Sequence, residues 1–282
     1  MISATFSAES ARGSTLAALV LTDAYRALSA VGAVSALDAD RLVAMGVPRE
    51  HVTVTGDSRY DQVWARAGAV DRDAPLVAPF AGTRSRPTLV AGSTWPTDEA
   101  PLLDAWKLVR ARIPGARLII APHEPTGAHL APIERWAAEA TCTVARLGSS
   151  AQTDADVVLV DRVGVLAELY ALAHVAYVGG GFHAAGLHSV LEPAALGVPV
   201  LFGPRFGASR DALELLSRGG GFSARSAAEI AQRTLALLSE PSACAAVGRR
   251  ARTFVESGLG AAVRSAALVE RLLPASASAA TS

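Results

Sequence analysis

At 282 residues the chain is long enough for about two domains of ordinary size, roughly 150 residues each. A composition of 51% hydrophobic and 18% charged residues, with 24 Gly and 15 Pro, excludes the disordered and fibrous classes and describes a globular protein with a real core. The formal net charge is zero, which removes any global electrostatic footprint for nucleic acid, so no nucleic-acid partner is expected.

Taken in chain order, residues Ser7 to Leu28 suit a helix, Val31 to Ala36 a short apolar strand, and the stretch after Asp38 and Asp40 a second helix ending at Gly46. Val52 to Gly56 is a strand that runs into a turn. From Val63 to Arg86 the residues Asp71, Asp73, Pro75, Pro79 and Gly82, with Pro87 just beyond, break any long periodicity, which predicts a linker over 64–86 with a boundary near Ala81. Beyond it the pattern is regular. Thr88–Ala91 precedes a helix over Thr97–Ile113, Leu118–Ala121 one over His129–Ala140, and Val157–Val160 one over Gly164–Ala173. Val175–Val178 then precedes a helix starting near His188, and Val198–Phe202 one over Ala208–Arg218.

Short, fully apolar strands alternating with amphipathic helices predict a parallel sheet covered on both faces, a Rossmann-like domain over 87–240. Helices over 241–274 follow, with packing as their evident role, and then an Ala/Ser/Thr tail, 275–282, expected to be disordered. Cys142 and Cys244 are far apart in Ala-rich contexts and read as buried thiols of a reducing compartment. No apolar run reaches the ~18 residues of a spanning helix, and Met1–Thr5 has no basic, apolar leader pattern.

In a sheet of this kind ligands sit at the carboxyl ends of the strands. The segments there are Gly92-Ser93-Thr94-Trp95-Pro96, Pro122-His123-Glu124-Pro125, Asp161-Arg162-Val163-Gly164, Gly179-Gly180-Gly181-Phe182 and Gly203-Pro204-Arg205. The glycine run either delivers amide N–H groups and a helix N-terminus to a phosphate or makes a tight turn needing positive φ. Glu192 either accepts hydrogen bonds from ribose hydroxyls or favours the helix dipole. His123 and Glu124 either hold a phosphate or base or form a solvated loop pair. The six histidines show no metal-ligand spacing with a third ligand, so no metal site is expected. Neither a nucleophile elbow, a Walker glycine loop nor a dinucleotide glycine fingerprint is present, which disfavours a hydrolase, an ATPase and a simple dehydrogenase.

Five spaced segments together resemble one family. They are Val54-Thr55-Gly56-Asp57-Ser58-Arg59-Tyr60-Asp61, Ala91-Gly92-Ser93-Thr94-Trp95-Pro96, Ile120-Ala121-Pro122-His123-Glu124, Val178-Gly179-Gly180-Gly181-Phe182 and Gly186-Leu187-His188-Ser189-Val190-Leu191-Glu192-Pro193-Ala194. The chain resembles the 3-deoxy-D-manno-octulosonic acid (Kdo) transferases of lipopolysaccharide synthesis, glycosyltransferases of the GT-B fold, from about Ser3 to Leu273. The resemblance implies an α/β, GT-B type architecture with one complete C-terminal Rossmann-like domain and, in residues 1–63, a remnant of the N-terminal acceptor domain. Met1 then reads as an internal start, a truncated gene model or the start of a fragment.

By the same resemblance the donor CMP-Kdo would contact Pro122 and His123, the Val163-Gly164-Val165 turn, and Ser189, Val190, Leu191 and Glu192; the strand-end reading adds Glu124, Gly180 and Gly181 to the nucleotide-binding set. Some members have an arginine in the segment corresponding to Pro122-His123-Glu124 and an asparagine where this chain has Ser189. The implied reaction is inverting and metal-independent, with no cofactor: a base deprotonates a hydroxyl of a lipid A precursor (lipid IVA), which attacks the anomeric carbon as CMP leaves. No acid of this chain matches the family's catalytic glutamate, which belongs to the N-terminal region. The resemblance also implies a peripheral place on the cytoplasmic face of the inner membrane. Two other readings are a GT-B sugar-nucleotide 2-epimerase and a non-catalytic nucleotide-binding module or partner subunit.

Overall fold

The computed structural model describes residues 1–6 and 15–273. The expected tail, 275–282, and the start of the helix expected from Ser7 lie outside the described residues. The chain forms two compact units, one of Met1–Gln62 with the segment from Ser257 onward, the other of Val63–Glu256.

In the first unit α1 (Thr15–Arg26) leads to β1 (Val31–Ala33), which pairs in parallel with β2 (Val52–Val54), while Ala4 bridges Ala33. Between the strands lies α2 (Ala36–Ala44), capped by the Ser35 side chain, which accepts from the Asp38 amide. The strand expected over Val31–Ala36 therefore stops at Ala33, because Ser35 already serves the helix. Asp38 is buried and its carboxylate accepts from the Phe6 amide at 2.9 Å, which ties the N-terminal segment to α2. Val31, Ala33, Ala39, Leu42 and Val47 form the small core.

The last helix, α11 (Ala261–Glu270), also belongs to this unit. Asp61, on α3 (Ser58–Gly68), accepts from the Gly260 amide at 2.7 Å and the Ala262 amide at 2.9 Å, satisfying donors that a helix start leaves open. The helices of 241–274 are thus not one group: α10 (Pro241–Glu256) packs in the second unit and α11 in the first.

The second unit is built on a seven-stranded parallel sheet. Its strands are β3 (Thr88–Thr94), β4 (Arg117–Pro122), β5 (Val144–Arg146), β6 (Val157–Leu159), β7 (Val175–Val178), β8 (Val200–Phe202) and β9 (Gly221–Ser223), in the order β5-β6-β4-β3-β7-β8-β9. Helices α4 (Pro96–Arg112), α5 (Gly127–Glu139), α6 (Leu166–Tyr170), α7 (Leu191–Ala195), α8 (Arg210–Ser217) and α9 (Ala227–Ser239) connect or follow them.

Alternate strand residues face opposite cores. Leu89, Ala91, Leu118, Ile120, Val175 and Tyr177 pack with Leu102, Trp106 and Ile230, whereas Val90, Ile119, Val158 and Ala176 pack with Phe80, Leu169 and Tyr170. Burial on both faces is why these strands read as continuous apolar runs. The edge strands β5 and β9 escape the sequence reading because each is three residues long and not fully buried.

Residues 64–86 are not a linker. They lie in the second unit, where a 3-10 turn over Ala78–Thr83 sinks Phe80 to 0% exposure against the sheet. Arg86 donates to the carbonyls of Gly115, Thr153 and Ala155 and closes the segment down.

Arg117, 1% exposed, spreads its guanidinium over the Phe80 ring at 4.5 Å and donates to Thr83 Oγ1 and Thr88 Oγ1. No carboxylate pairs with it among the described residues. Burial, with the nearby Arg86 charge, brings its pKa down to about 10. A buried cation without an anion contributes through packing rather than Coulomb attraction. We therefore expect Arg117→Ala to cost about 3 kcal/mol in urea unfolding and Arg117→Met less than about 1 kcal/mol. Equal losses in the two variants would contradict this.

Candidate functional site

The strand order reverses between β3 and β7, so the segments leaving those two strands flank the crevice where a doubly wound sheet takes its ligand. The turn after β7 is built by close approach. A Cβ at Gly179 would strike the Ser93 carbonyl, one at Gly180 the Gly186 carbonyl, and one at Gly181 the backbone of Gly203 after β8. Gly180 also has φ +91°, a conformation that glycine alone adopts readily.

Two amides of this turn, those of Gly180 and Phe182, are already engaged. Asp98, at 0% exposure in the first turn of α4, accepts from the Gly180 amide at 2.7 Å and the Phe182 amide at 2.9 Å. It also accepts from the Trp95 amide at 3.0 Å and lies 3.4 Å from the Tyr177 hydroxyl. This carboxylate occupies the role that the sequence reading gives to a ligand phosphate, so the Gly180 N–H is not available to one. Asp98 is a residue that the sequence reading misses, although an acid three residues after the helix-opening Trp-Pro is a capping signature.

The helix expected near His188 begins instead at Leu191 and has five residues, too few for a useful macrodipole. Residues 179–190 run as loop, held by the His188 amide on the Gly179 carbonyl at 3.0 Å and the His183 amide on the Gly180 carbonyl at 3.1 Å.

That loop gathers aromatic rings from three strand ends. Trp95, after β3, stacks on His183 with centroids 4.1 Å apart and 5° between planes. Its indole lies 4.6 Å from the His123 ring, after β4, and the His123 and His188 rings are 4.5 Å apart. The Trp95 Nε1–H donates to His188 Nε2 at 3.1 Å. Burial lowers the pKa of His188, the neighbouring His123 and His183 rings push the same way, and Asp98 opposes them.

The other expected residues divide by exposure. His123, Glu124 and Ser189 are exposed, and Val163 is 76% exposed in a turn where Gly164 has φ +86°. Val165 ends that turn, and the next residue, Leu166, packs with Tyr170 where a Cβ of Gly92 would lie, which sets the turn beside the end of β3. Pro122 is buried, and Val190 and Leu191 are fully buried, so their side chains cannot touch a ligand and any contact runs through backbone. Gly181 is buried against Gly203. Glu192 is part-exposed and pairs with Arg66 at 3.3 Å. Its charge adds to burial in raising the Tyr170 pKa, burial being the larger cause.

Among the described residues no group of three His, Cys, Asp or Glu is placed to hold a metal ion, and no helix is long and apolar enough to cross a membrane. An open cavity of about 640 Å³ lies elsewhere, between Arg218 at the end of α8 and Ala246, Arg249, Arg250, Thr253 and Phe254 of α10.

The fold is α/β with a parallel, doubly wound sheet, similar to the fold of GT-B glycosyltransferases. A family model described as 3-deoxy-D-manno-octulosonic-acid transferase (kdotransferase) matches residues 1–62, the sequence that opens the first unit. The chain is 29% identical over 269 residues to the 3-deoxy-D-manno-octulosonic acid transferase of Bordetella pertussis, covering 94% of this chain and 61% of that one. Among solved structures it is similar to the C-terminal CMP-Kdo binding domain of WaaA from Acinetobacter baumannii, with a TM-score of 0.56 and 24% identity over 69% of this chain and 98% of that one. It is similar also to UDP-GlcNAc 2-epimerase from Neisseria meningitidis, with a TM-score of 0.62 and 14% identity over 96% of this chain and 68% of that one. The resemblance to the Kdo transferases thus extends from its motifs to the whole chain, which spans about half the length of the curated relatives it matches.

Proposed function

We propose that this chain binds the sugar nucleotide CMP-Kdo and serves the transfer of Kdo to a lipid A precursor, lipid IVA, in lipopolysaccharide synthesis at the cytoplasmic face of the inner membrane. The observation that carries the reading is the meeting of the His123 and His188 rings at the switch point of a sheet similar to a CMP-Kdo binding domain. The transfer inverts the anomeric centre and uses no metal. The acceptor oxygen forms its bond to the anomeric carbon while the bond to the CMP phosphate oxygen breaks, and the acceptor's proton goes to a base that we assign to no residue of this chain.

Because the Gly180 and Phe182 amides serve Asp98, the departing phosphate is received by imidazole N–H groups and the Ser189 hydroxyl. The turn over Val163, Gly164 and Val165 and the backbone at Pro122, Val190 and Leu191 border the cytidine, with Glu124 at its rim, and Glu192 accepts from the ribose hydroxyls. We expect Glu192→Ala to weaken CMP binding about 10- to 100-fold by calorimetric titration. The Arg66–Glu192 pair is largely solvated, so the unfolding free energy in urea should change by less than about 1 kcal/mol. Unchanged CMP affinity in the variant would remove Glu192 from the site.

The 2-epimerase reading has the similar fold in its favour. It requires a preference for a uridine over a cytidine nucleotide, which a calorimetric titration with UDP beside CMP separates.

A further inference from the structure

We infer that Trp95 is a positioning residue of the donor site, whose indole N–H dictates which ring nitrogen His188 turns to a bound phosphate. The inference rests on the nucleotide-binding reading above. An indole nitrogen donates and never accepts, so the 3.1 Å contact requires a lone pair on His188 Nε2. The proton of His188 is then on Nδ1, and Nδ1–H is the donor that it can offer a ligand oxygen.

The indole is itself held from two sides. Its backbone N–H is anchored on Asp98 at 3.0 Å, and its face is stacked on His183. His183 is fixed in turn, because the Ala185 amide donates to its Nδ1 at 3.1 Å, leaving Nε2 to carry its proton. Trp95 thus links the acid that braces the glycine turn to the imidazole that faces the ligand, across the switch point between β3 and β7.

The charged and titratable groups facing His188 are His123 from the β4 end, His183 from its own loop and Asp98 from α4. Burial and the two imidazoles disfavour a cation there, in the same direction as the indole bond, which an imidazolium cannot accept. In Trp95→Phe the ring stack is kept and the bond is lost. His188 then titrates at higher pH and is free to present either nitrogen.

The test combines nitrogen-15 NMR of histidine-labelled protein with CMP titrations at about pH 6 and about pH 8, in the wild type and in Trp95→Phe. The wild type should show His188 as the neutral Nδ1–H form at about pH 7. The variant should bind CMP about five-fold more weakly at the higher pH and recover affinity at the lower one, so that the two pH profiles diverge. A wild-type His188 that is charged or carries its proton on Nε2 overturns the inference, and this readout needs no variant to fold. So do superimposable profiles in the two proteins. A wild type with the expected His188 tautomer that binds no CMP overturns the nucleotide-binding reading instead, and leaves the Trp95–His188 assignment standing as a structural tie.

Discussion

Asp98→Ala is expected to lose about 3–5 kcal/mol of stability, the largest effect of any single side chain in the site. The carboxylate is wholly buried and serves the amides of Trp95, Gly180 and Phe182. Hydrogen bonds to a charged acceptor contribute about 1.5–3 kcal/mol each, and stranded buried donors cost about 1–3 kcal/mol each when water cannot replace the partner. Asp98→Asn keeps one acceptor oxygen and turns an NH₂ group toward amide donors, so it should fall between wild type and alanine. Urea unfolding of the three proteins, read by near-UV circular dichroism, checks the order. A loss below about 1 kcal/mol in the alanine variant would mean that the turn does not depend on this acid.

Gly180→Ala should cost more than about 3 kcal/mol and shift the His183–His188 loop. Two independent obstacles meet there: φ is +91°, and the new Cβ would collide with the Gly186 carbonyl, which is backbone and cannot rotate away. Gly164→Ala is the control. Its φ of +86° is just as unfavourable, but nothing lies within 4 Å of the added carbon. That variant should cost only about 1–2 kcal/mol, the strain alone. Equal unfolding midpoints for the two variants would show that the close approach at Gly180 carries no energy.

The parallel sheet was legible because its central strands are buried on both faces, and a run such as Leu118-Ile119-Ile120 has no competing reading as an amphipathic helix. Among the helices following those strands, α4 lies within a residue at each end of its expected span, whereas the one expected near His188 begins only at Leu191. What failed is what local pattern does not encode. Pro and Gly between Asp71 and Arg86 mark irregular backbone, yet irregular backbone is not the same as exposed backbone, and Phe80 with Arg117 fastens it to the sheet. The membership of α11 depends on Asp61, 199 residues from the amide it holds, a distance over which periodicity carries no information.

The candidate site was legible in its location and less so in its chemistry. Strand-end reasoning singled out the segments containing Trp95, His123 and the glycine turn, and the helix expected after that turn drew in Glu192. It allotted the turn's amides to a ligand because a glycine run looks the same whether its partner is a phosphate or an internal carboxylate. Asp98 decides between them, and it sits on a different strand–helix unit. With Val190 and Leu191 buried, the polar side chains of the proposed site with exposed surface are His123, Glu124, His188, Ser189 and Glu192.

The switch-point site is expected to take a cytidine nucleotide. Calorimetric titration of the chain with CMP beside UDP tests it most directly: saturable binding that prefers CMP is the predicted result, and either a preference for UDP or no CMP binding by folded protein would contradict it.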